Sequence, residues 1–534
     1  MKRDKPIQTS RISAEKDGGG FLEPGRKLFV VLFLIVLLCT IGLKIYKADR
    51  TGIIYDESLT FQRYCDSVRT ALTSFDPADA SSTNNHLLNS IFIHYARRCF
   101  GSYEHFIRIP SLLAGIVFSL TVAFIIYKTI HSGLMRVVSL AMVSLIPFVF
   151  DYSYLARGYA FGLAGIYAQI AFVLWLLEHK VKLRYQPIVA VVISAMNFLA
   201  FGSMMSSMIV LAGFNATFIL LYSPRIFSDV SHKVKPVILN LVSISALTGV
   251  SVFLLYRHIY KDILGGRSLV KINKGWRGWP SFIEYLRNLL VGKVFGPTGV
   301  LGTIIFWTAV LLIVVGIVIY IYRLSRAIKT RSWSEYVKID SPASFVIIVT
   351  CVTIAILFIY SVILNRSPGL PRRVRSQIFL IPMAVTSGLI ILDRLADRMS
   401  QKGMRRFVRA VVITIVVLVT VRNLPSPYRM GGSTLSGPVL RKLKAIAPDK
   451  TWNIAFSEKM KLFYMGFVYY KQFDYKFNIV RQGNYDVFIC RQDEQPAEAV
   501  SLNWAPFDDS VSRVIINCRL PADRVVIEAR LIKD

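Results

Sequence analysis

Long uninterrupted apolar blocks constrain this chain more than any other feature. Residues 28–46 read LFVVLFLIVLLCTIGLKIY. A helix needs roughly 20 mostly apolar residues to cross a bilayer. Only helices and closed barrels satisfy every backbone polar group in lipid, and barrel strands are far shorter than these blocks. Ten further blocks follow, at 106–127, 134–150, 158–177, 187–204, 206–222, 236–256, 297–322, 344–364, 377–392 and 407–421. The pattern predicts an α-helical polytopic membrane protein with about 11 transmembrane helices. The shortest break between spans lies at Gly202-Ser203.

Charge supplies the orientation. The formal net charge is +32 in 534 residues, of which 54% are hydrophobic. Such a balance can signal nucleic-acid binding. Here the Lys and Arg cluster in short segments between the apolar blocks, where the positive-inside rule puts them, so no nucleic-acid partner is expected. Residues 1–27 are polar and basic, with no small-residue cleavage site after the block that follows. They read as a disordered cytoplasmic tail before a signal anchor. With the N-terminus inside, loops 128–136, 178–186, 223–235, 323–340 and 393–406 also lie inside, and all are rich in Lys or Arg. Loops 47–105 and 257–296, the turn 151–157 and everything after 422 then lie outside. The expected location is the cell inner (plasma) membrane, multi-pass.

The two large outer loops carry helical periodicity. Leu59, Tyr64, Val68 and Leu72, then Leu87, Leu88, Ile91 and Tyr95, predict amphipathic helices on the membrane surface. In 257–296, Trp276, Trp279 and Tyr285 alternate with basic residues, which suits an interfacial helix. The membrane domain is thus 28–424. Residues 425–534 change character, with a helix at 437–446 and strand-like runs at 452–456, 477–480, 486–490, 514–518 and 525–529. They predict a small C-terminal extracytoplasmic α/β domain.

Four of the six cysteines fall outside on this topology. An oxidising compartment permits two bridges, Cys65–Cys99 and Cys490–Cys518, against the alternative of four free thiols. Cys39 and Cys351 lie in spans and read as plain buried thiols.

The residues that carry chemistry begin at Asp56-Glu57, some ten residues beyond the first span. Acidic residues suit a helix N-terminus, so this pair is on its own an ordinary helix start. Its neighbourhood says more. Asn85-His86-Leu87-Leu88-Asn89 follows in the same loop, and Arg108-Ile109-Pro110-Ser111-Leu112 opens the second span. Together with Tyr55-Asp56-Glu57, these strings resemble the opening of the GT-C-fold glycosyltransferases that use polyprenyl-phosphate-linked sugars. That superfamily includes protein O-mannosyltransferases and aminoarabinose–lipid A transferases. Tyr154-Leu155-Ala156-Arg157-Gly158-Tyr159 resembles its segment after span three, and Arg375 with Pro382 its late arginine region, although Ser376-Gln377 stands where a Tyr is usual.

The resemblance implies a GT-C-like fold and an inverting transfer of a hexose or pentose from a polyprenyl-phosphate donor to a lipid, glycan or protein acceptor outside the cytoplasm. Such a reaction needs a base for the acceptor's proton. By the resemblance, Asp56 is that base and Glu57 its runner-up, with Asp151 either a second acidic site or a helix-end residue. The leaving phosphate gains charge in the transition state and calls for fixed cations. Arg157, Arg372, Arg373 and Arg375 are the candidates, and they lie on the outer side against the positive-inside trend. Asn85 and His86 are candidate substrate contacts. No cofactor is implied with certainty, although Asp56, Glu57 and Asp151 are the ligand type a divalent cation takes. No phosphate-binding loop, dinucleotide fingerprint, His-Glu-x-x-His pair or Cys-x-x-Cys is present. The alternative function is a transporter or flippase of a lipid-linked saccharide, for which mid-span charges and repeated halves are the expected marks. A sensor or assembly protein would leave the Asp56-Glu57 loop without a purpose.

Overall fold

The computed structural model describes residues 24–73, 86–227, 234–257, 279–288, 342–363, 378–399 and 401–423, and part of the tail from 440 to 533. Its helices in chain order are α1 (Pro24–Arg50), α2 (Tyr55–Tyr64), α3 (Val68–Thr73), α4 (Leu87–Phe100), α5 (Glu104–Thr129), α6 (Gly133–Ser144) and α7 (Pro147–Tyr152). Then come α8 (Tyr159–His179), α9 (Gln186–Ser203), α10 (Met208–Thr217), α11 (Ser223–Ile226), α12 (Val234–Tyr256), α13 (Trp279–Arg287), α14 (Pro342–Phe358), α15 (Leu380–Arg398) and α16 (Lys402–Asn423). Among the described residues, seven helical segments are long and apolar enough to cross a membrane, so the chain is a multi-pass membrane protein. The expected span at 297–322 lies outside the described residues, and α15 and α16 are helical but are not among the seven.

One expected span divides. The block 134–150 forms α6, which ends at Ser144, and α7, which starts at Pro147. Proline has no N–H to give to the preceding turn and its ring collides with the carbonyl there. At Gly202-Ser203 the chain does break as anticipated, since Met204 is extended (φ −150°, ψ 104°) before a new helical turn begins.

Helix packing follows the usual membrane devices. α5 crosses the chain that leads into α8 at Gly115, where an added Cβ would sit 1.8 Å from the Ser153 carbonyl oxygen. Small residues permit such close approach, and buried amides add hydrogen bonds between helices. Gln169 donates to Asn197 at 2.9 Å and Asn197 to Asn215 at 3.3 Å, joining α8, α9 and α10. Lys44, buried on α1, donates to Gly115 O (3.1 Å) and Ser119 Oγ (2.7 Å) of α5. Around these ties runs one apolar core that includes Phe118, Tyr167, Phe214, Phe345 and Phe379.

In the tail, β1 (Trp452–Phe456), α17 (Tyr464–Tyr470), β2 (Phe477–Ile479), β3 (Val487–Arg491), β4 (Val500–Ser501), β5 (Val511–Arg519) and β6 (Val526–Lys533) are described. The strands form one sheet of order β2-β1-β3-β5-β6-β4. The first four strands in that order run parallel, and β6 and β4 are antiparallel to their neighbours. β1, β2, β3, β5 and β6 fall on the five expected strand runs.

The first outer loop departs from expectation. The apolar faces of α2 and α4 are covered in part by other protein segments. Leu59, Phe61, Tyr64 and Ile93 are buried. Phe61 and Ile93 share an apolar cluster with Trp452, Phe467, Tyr469 and Tyr470 of the tail, so tail and loop have a common core. Apolar area on a helix is stabilised wherever it leaves water, and the tail supplies a cover that periodicity cannot reveal.

The expected Cys65–Cys99 bridge is absent. Cys65 is buried at the end of α2, with its thiol donating to Thr60 O at 3.3 Å, while Cys99 is exposed on α4. Burial pushes the Cys65 thiol pKa well above its usual range, which leaves it an inert, protonated core group. The register pairs Cys490 with Asn517 and Arg491 with Cys518, so the other two cysteines sit one step apart on neighbouring strands, and their side chains lie outside the described residues.

Candidate active site at the start of α2

The short α2 begins with Ile54 in extended conformation (φ −91°, ψ 160°), which places Asp56 and Glu57 in its first turn. The helix's first N–H groups have no partner inside the helix, and the dipole there favours negative charge. Glu57 answers both needs by curling back to accept the Ile54 N–H at 3.1 Å. That is half of a capping box, since Ile54 has no polar side chain to reciprocate.

Glu57 is then enclosed completely. Arg108 donates to it from Nε (2.8 Å) and Nη2 (2.5 Å), and the Ala156 N–H donates at 2.6 Å. Both side chains have zero exposure. The remaining guanidinium donors of Arg108 go to the carbonyls of Ala48 (2.9 Å), Thr51 (2.5 Å) and Gly52 (3.0 Å). A guanidinium has five N–H groups, and these five contacts leave none spare. This one pair therefore fastens the end of α1, the turn before α2, the start of α5 and the strap before α8.

Adjacent residues on a helix point about 100° apart, and Asp56 has another environment. Its side chain keeps 12% exposure, and its Oδ2 lies 3.7 Å from Nη2 of Arg157, which is wholly buried. Arg157 is aimed by Nη1, which donates to Asp56 O at 3.1 Å and to Thr60 Oγ1 at 2.9 Å. The backbone that carries Arg157 is held from behind, by Asn89 donating to Ala156 O at 3.3 Å and Ser111 bonding to Asn89 at 3.3 Å. Gly158 completes the strap. A Cβ there would lie 2.1 Å from Ser203 O and 3.0 Å from the His86 Cβ, so only glycine lets the strap meet the end of α9.

His86 caps α4, is buried, and sets its ring edge-on to Tyr159 at 5.5 Å. Asp151 is buried on α7 and accepts from the Tyr154 hydroxyl at 3.3 Å. Burial pushes its pKa up to about 8, against the Tyr154 hydrogen bond and the Lys47 charge, so it is protonated near neutral pH. Tyr154 is itself raised far above its usual range by burial and by Asp151.

The same site touches the tail. Tyr470 on α17 donates to Glu104 Oε1 at 2.9 Å and accepts the Ile53 N–H at 3.4 Å. Tyr469 donates to Ser102 O, and its ring stands edge-on to Phe61 at 5.2 Å.

Neither a family model nor a curated protein sequence matches this chain. Among solved structures it is similar to ArnT from Cupriavidus metallidurans bound to undecaprenyl phosphate. That alignment has a TM-score of 0.46 and 13% identity, covering 88% of this chain and 87% of that one. It is also similar to the Archaeoglobus fulgidus oligosaccharyltransferase tethered with an acceptor peptide, with a TM-score of 0.43 and 11% identity, over 86% of this chain and 64% of that one. The oligosaccharyltransferase AglB from the same organism, in complex with an inhibitory peptide and a dolichol-phosphate, aligns with a TM-score of 0.39 and 10% identity, over 85% and 64%.

The structure thus brings together Asp56, Glu57 and Arg157, with His86 against the same strap. Asn85, Arg372, Arg373 and Arg375 lie outside the described residues. Asp56, Glu57 and Asp151 do not make a cation site. Both Glu57 oxygens are engaged by Arg108 and backbone N–H groups, and among the described residues no three His, Cys, Asp or Glu cluster. Arg108 is the partner that sequence reasoning overlooked. Its signal was an arginine at the opening of an apolar span, where an unpaired charge would be costly. Asn89 and Ser111 stood in the strings that carry the resemblance without a role of their own, and Thr60 and Tyr470 carried no signal, since polar residues of these types are common in loops.

Proposed function

We propose that this chain is an inverting glycosyltransferase that moves a sugar from a polyprenyl-phosphate donor to an extracytoplasmic acceptor. The observation that carries this reading is the division of labour between adjacent acids. Glu57 is fully neutralised by Arg108, whereas Asp56 keeps a partly accessible carboxylate beside the buried cation Arg157. An acid and a fixed cation within one side chain's reach match the two charges that such a transfer develops.

In this mechanism Asp56 takes the proton of the acceptor hydroxyl as its oxygen attacks the anomeric carbon. The bond from that carbon to the phosphate oxygen breaks, and the electron pair leaves with the polyprenyl phosphate. Arg157 faces the growing negative charge, and before substrate binds it holds Asp56 in place. Arg372, Arg373 and Arg375 add positive charge to the donor phosphate. His86, at the start of α4, and Asn85 contact substrate. Asp151, protonated near neutral pH, serves there as a hydrogen-bond donor rather than a second base. Lys44, the charge inside the first span, is spent on tying α1 to α5, which favours the transferase over a flippase.

The orientation follows from loop charge. Residues 1–27 are cytoplasmic, 28–424 form the GT-C-like membrane domain of about eleven helices, and 425–534 form an extracytoplasmic α/β domain on an inner-membrane protein. The deciding experiment is transfer by the purified chain from a panel of polyprenyl-phosphate sugars to extracted membrane lipids and proteins. Wild type should transfer from at least one donor and Asp56→Asn should not. Equal turnover by both would remove Asp56 as the base, and no transfer by folded wild type from any donor would remove the reading itself.

A further inference from the structure

Asp56 occupies one end of α2, and a different site lies at the other. Where the chain turns out of α2, a cavity of about 650 Å³ opens between α3 and α4, lined by Asp66, Arg69, His94, Tyr95, Arg97 and Arg98 among others. Some of this wall is already engaged. Arg97 pairs with Asp66 at 2.9 Å and stacks its guanidinium over Phe61 at 4.9 Å. His94 Nδ1 bonds to Cys65 O at 3.0 Å. Arg69 and Arg98 are exposed at the cavity, and among the described residues neither has an ion-pair partner.

Tyr95 also lines a hollow of opposite character. A groove of about 460 Å³ runs between α4, α5, α8 and α9, with Phe92, Ala96, Cys99, Leu113, Phe161 and Leu199 in its wall. α5 is a membrane span, and on this side it exposes Leu113 and Val117. The groove therefore opens toward hydrocarbon. A cationic cavity joined through one tyrosine to an apolar, membrane-facing groove fits an amphiphile whose head carries negative charge.

The leaving phosphate of the donor does not belong here. It must lie within two or three bonds of the carbon attacked beside Asp56. The cavity is separated from Asp56 by the length of α2, roughly 12 Å for eight residues at 1.5 Å each.

We propose that cavity and groove form one binding site for a second lipid, with a phosphate-bearing head on Arg69 and Arg98 and its chain in the groove. On the transferase reading above, on which only this last step rests, that lipid is the acceptor class. Its phosphate is gripped at one end of α2 while a hydroxyl of its head group reaches Asp56 at the other.

The test is native mass spectrometry of the full-length protein, with phosphatidic acid as the probe. Phosphatidylcholine is the neutral control, and undecaprenyl phosphate reports on the donor side. Wild type should retain phosphatidic acid over phosphatidylcholine. Arg69→Gln with Arg98→Gln should weaken that retention at least tenfold, about one charge-assisted hydrogen bond lost. Cys99→Trp, which fills the groove from an exposed position, should do the same. Undecaprenyl phosphate should be held equally by all, and inorganic phosphate should not displace the probe. Unchanged retention in the variants, displacement by inorganic phosphate, or a parallel loss of undecaprenyl phosphate would each overturn the proposal. A protein that transfers no sugar but shows this binding pattern would refute the transferase reading alone.

Discussion

Replacing Glu57 by Gln separates a structural acid from a chemical one. The Glu57 oxygens accept four N–H groups, two of them from Arg108. Glutamine keeps one acceptor oxygen and turns the other into a donor. Whichever way the amide is flipped, its NH2 faces two N–H groups. Arg108 meanwhile keeps its charge at zero exposure with no counter-ion. Removing one partner from a buried pair costs about 3–5 kcal/mol. Asp56→Asn removes a carboxylate that is 12% exposed and 3.7 Å from its cation, and Arg157 keeps its bonds to Asp56 O and Thr60 Oγ1, so the loss should be smaller. Thermal melts of the purified variants in detergent, followed by tryptophan fluorescence, check this. Glu57→Gln should melt far below wild type, while Asp56→Asn should melt close to it and lose transfer. Glu57→Leu with Arg108→Met strands no charge but leaves three carbonyls and two N–H groups without these partners, so it should recover only part of the loss. The reasoning would be refuted if Glu57→Gln melted like wild type yet transferred nothing. Glu57 would then act in the chemistry rather than in the scaffold.

Other outcomes follow from the same geometry. Arg157→Lys keeps the charge but loses the fork that holds Asp56 O and Thr60, so transfer should fall roughly 10²-fold at unchanged melting temperature; wild-type turnover would contradict the role given to Arg157. Asp151 has a folded-state pKa raised from 3.8 to about 8. The folded protein therefore holds a proton that the unfolded chain has released, and stability declines as pH rises through that window. Asp151→Asn should flatten this decline in melts between pH about 4 and about 8, and parallel curves for both proteins would contradict it. Gly158→Ala would drive a methyl to 2.1 Å from Ser203 O, so a variant purified at wild-type yield and melting temperature would show that the strap can move. Tyr470→Phe removes the bond to Glu104 and the acceptor for Ile53 N–H, and should cost about 1–3 kcal/mol in the melt.

Much of this molecule was readable in one dimension. Apolar blocks give helices because lipid offers a backbone no other partner. Strand runs in the tail were likewise local, set by β-branched and aromatic residues between turn residues. The acidic pair, the arginine of the strap and the strings around them were visible as types. Local pattern misled where a distant segment decided the outcome. The first-loop helices look interfacial until Trp452, Phe467 and Tyr469 cover them. Cys65 and Cys99 share a loop, yet one closes α2 and the other faces outward from α4.

Asp56 and Glu57 mark the division most sharply. Sequence alone determined that two carboxylates stand together at a helix start just beyond a membrane span. It held no means of ranking them, since the helix dipole favours both and their residue types are nearly interchangeable. The ranking came from a guanidinium 51 residues away and a backbone N–H 99 residues away, both converging on Glu57. Only the tertiary fold brings those groups within hydrogen-bonding distance, and a buried charge is held wherever its partners converge. Asp56, turned about 100° around the same helix, is left facing Arg157 with part of its carboxylate exposed.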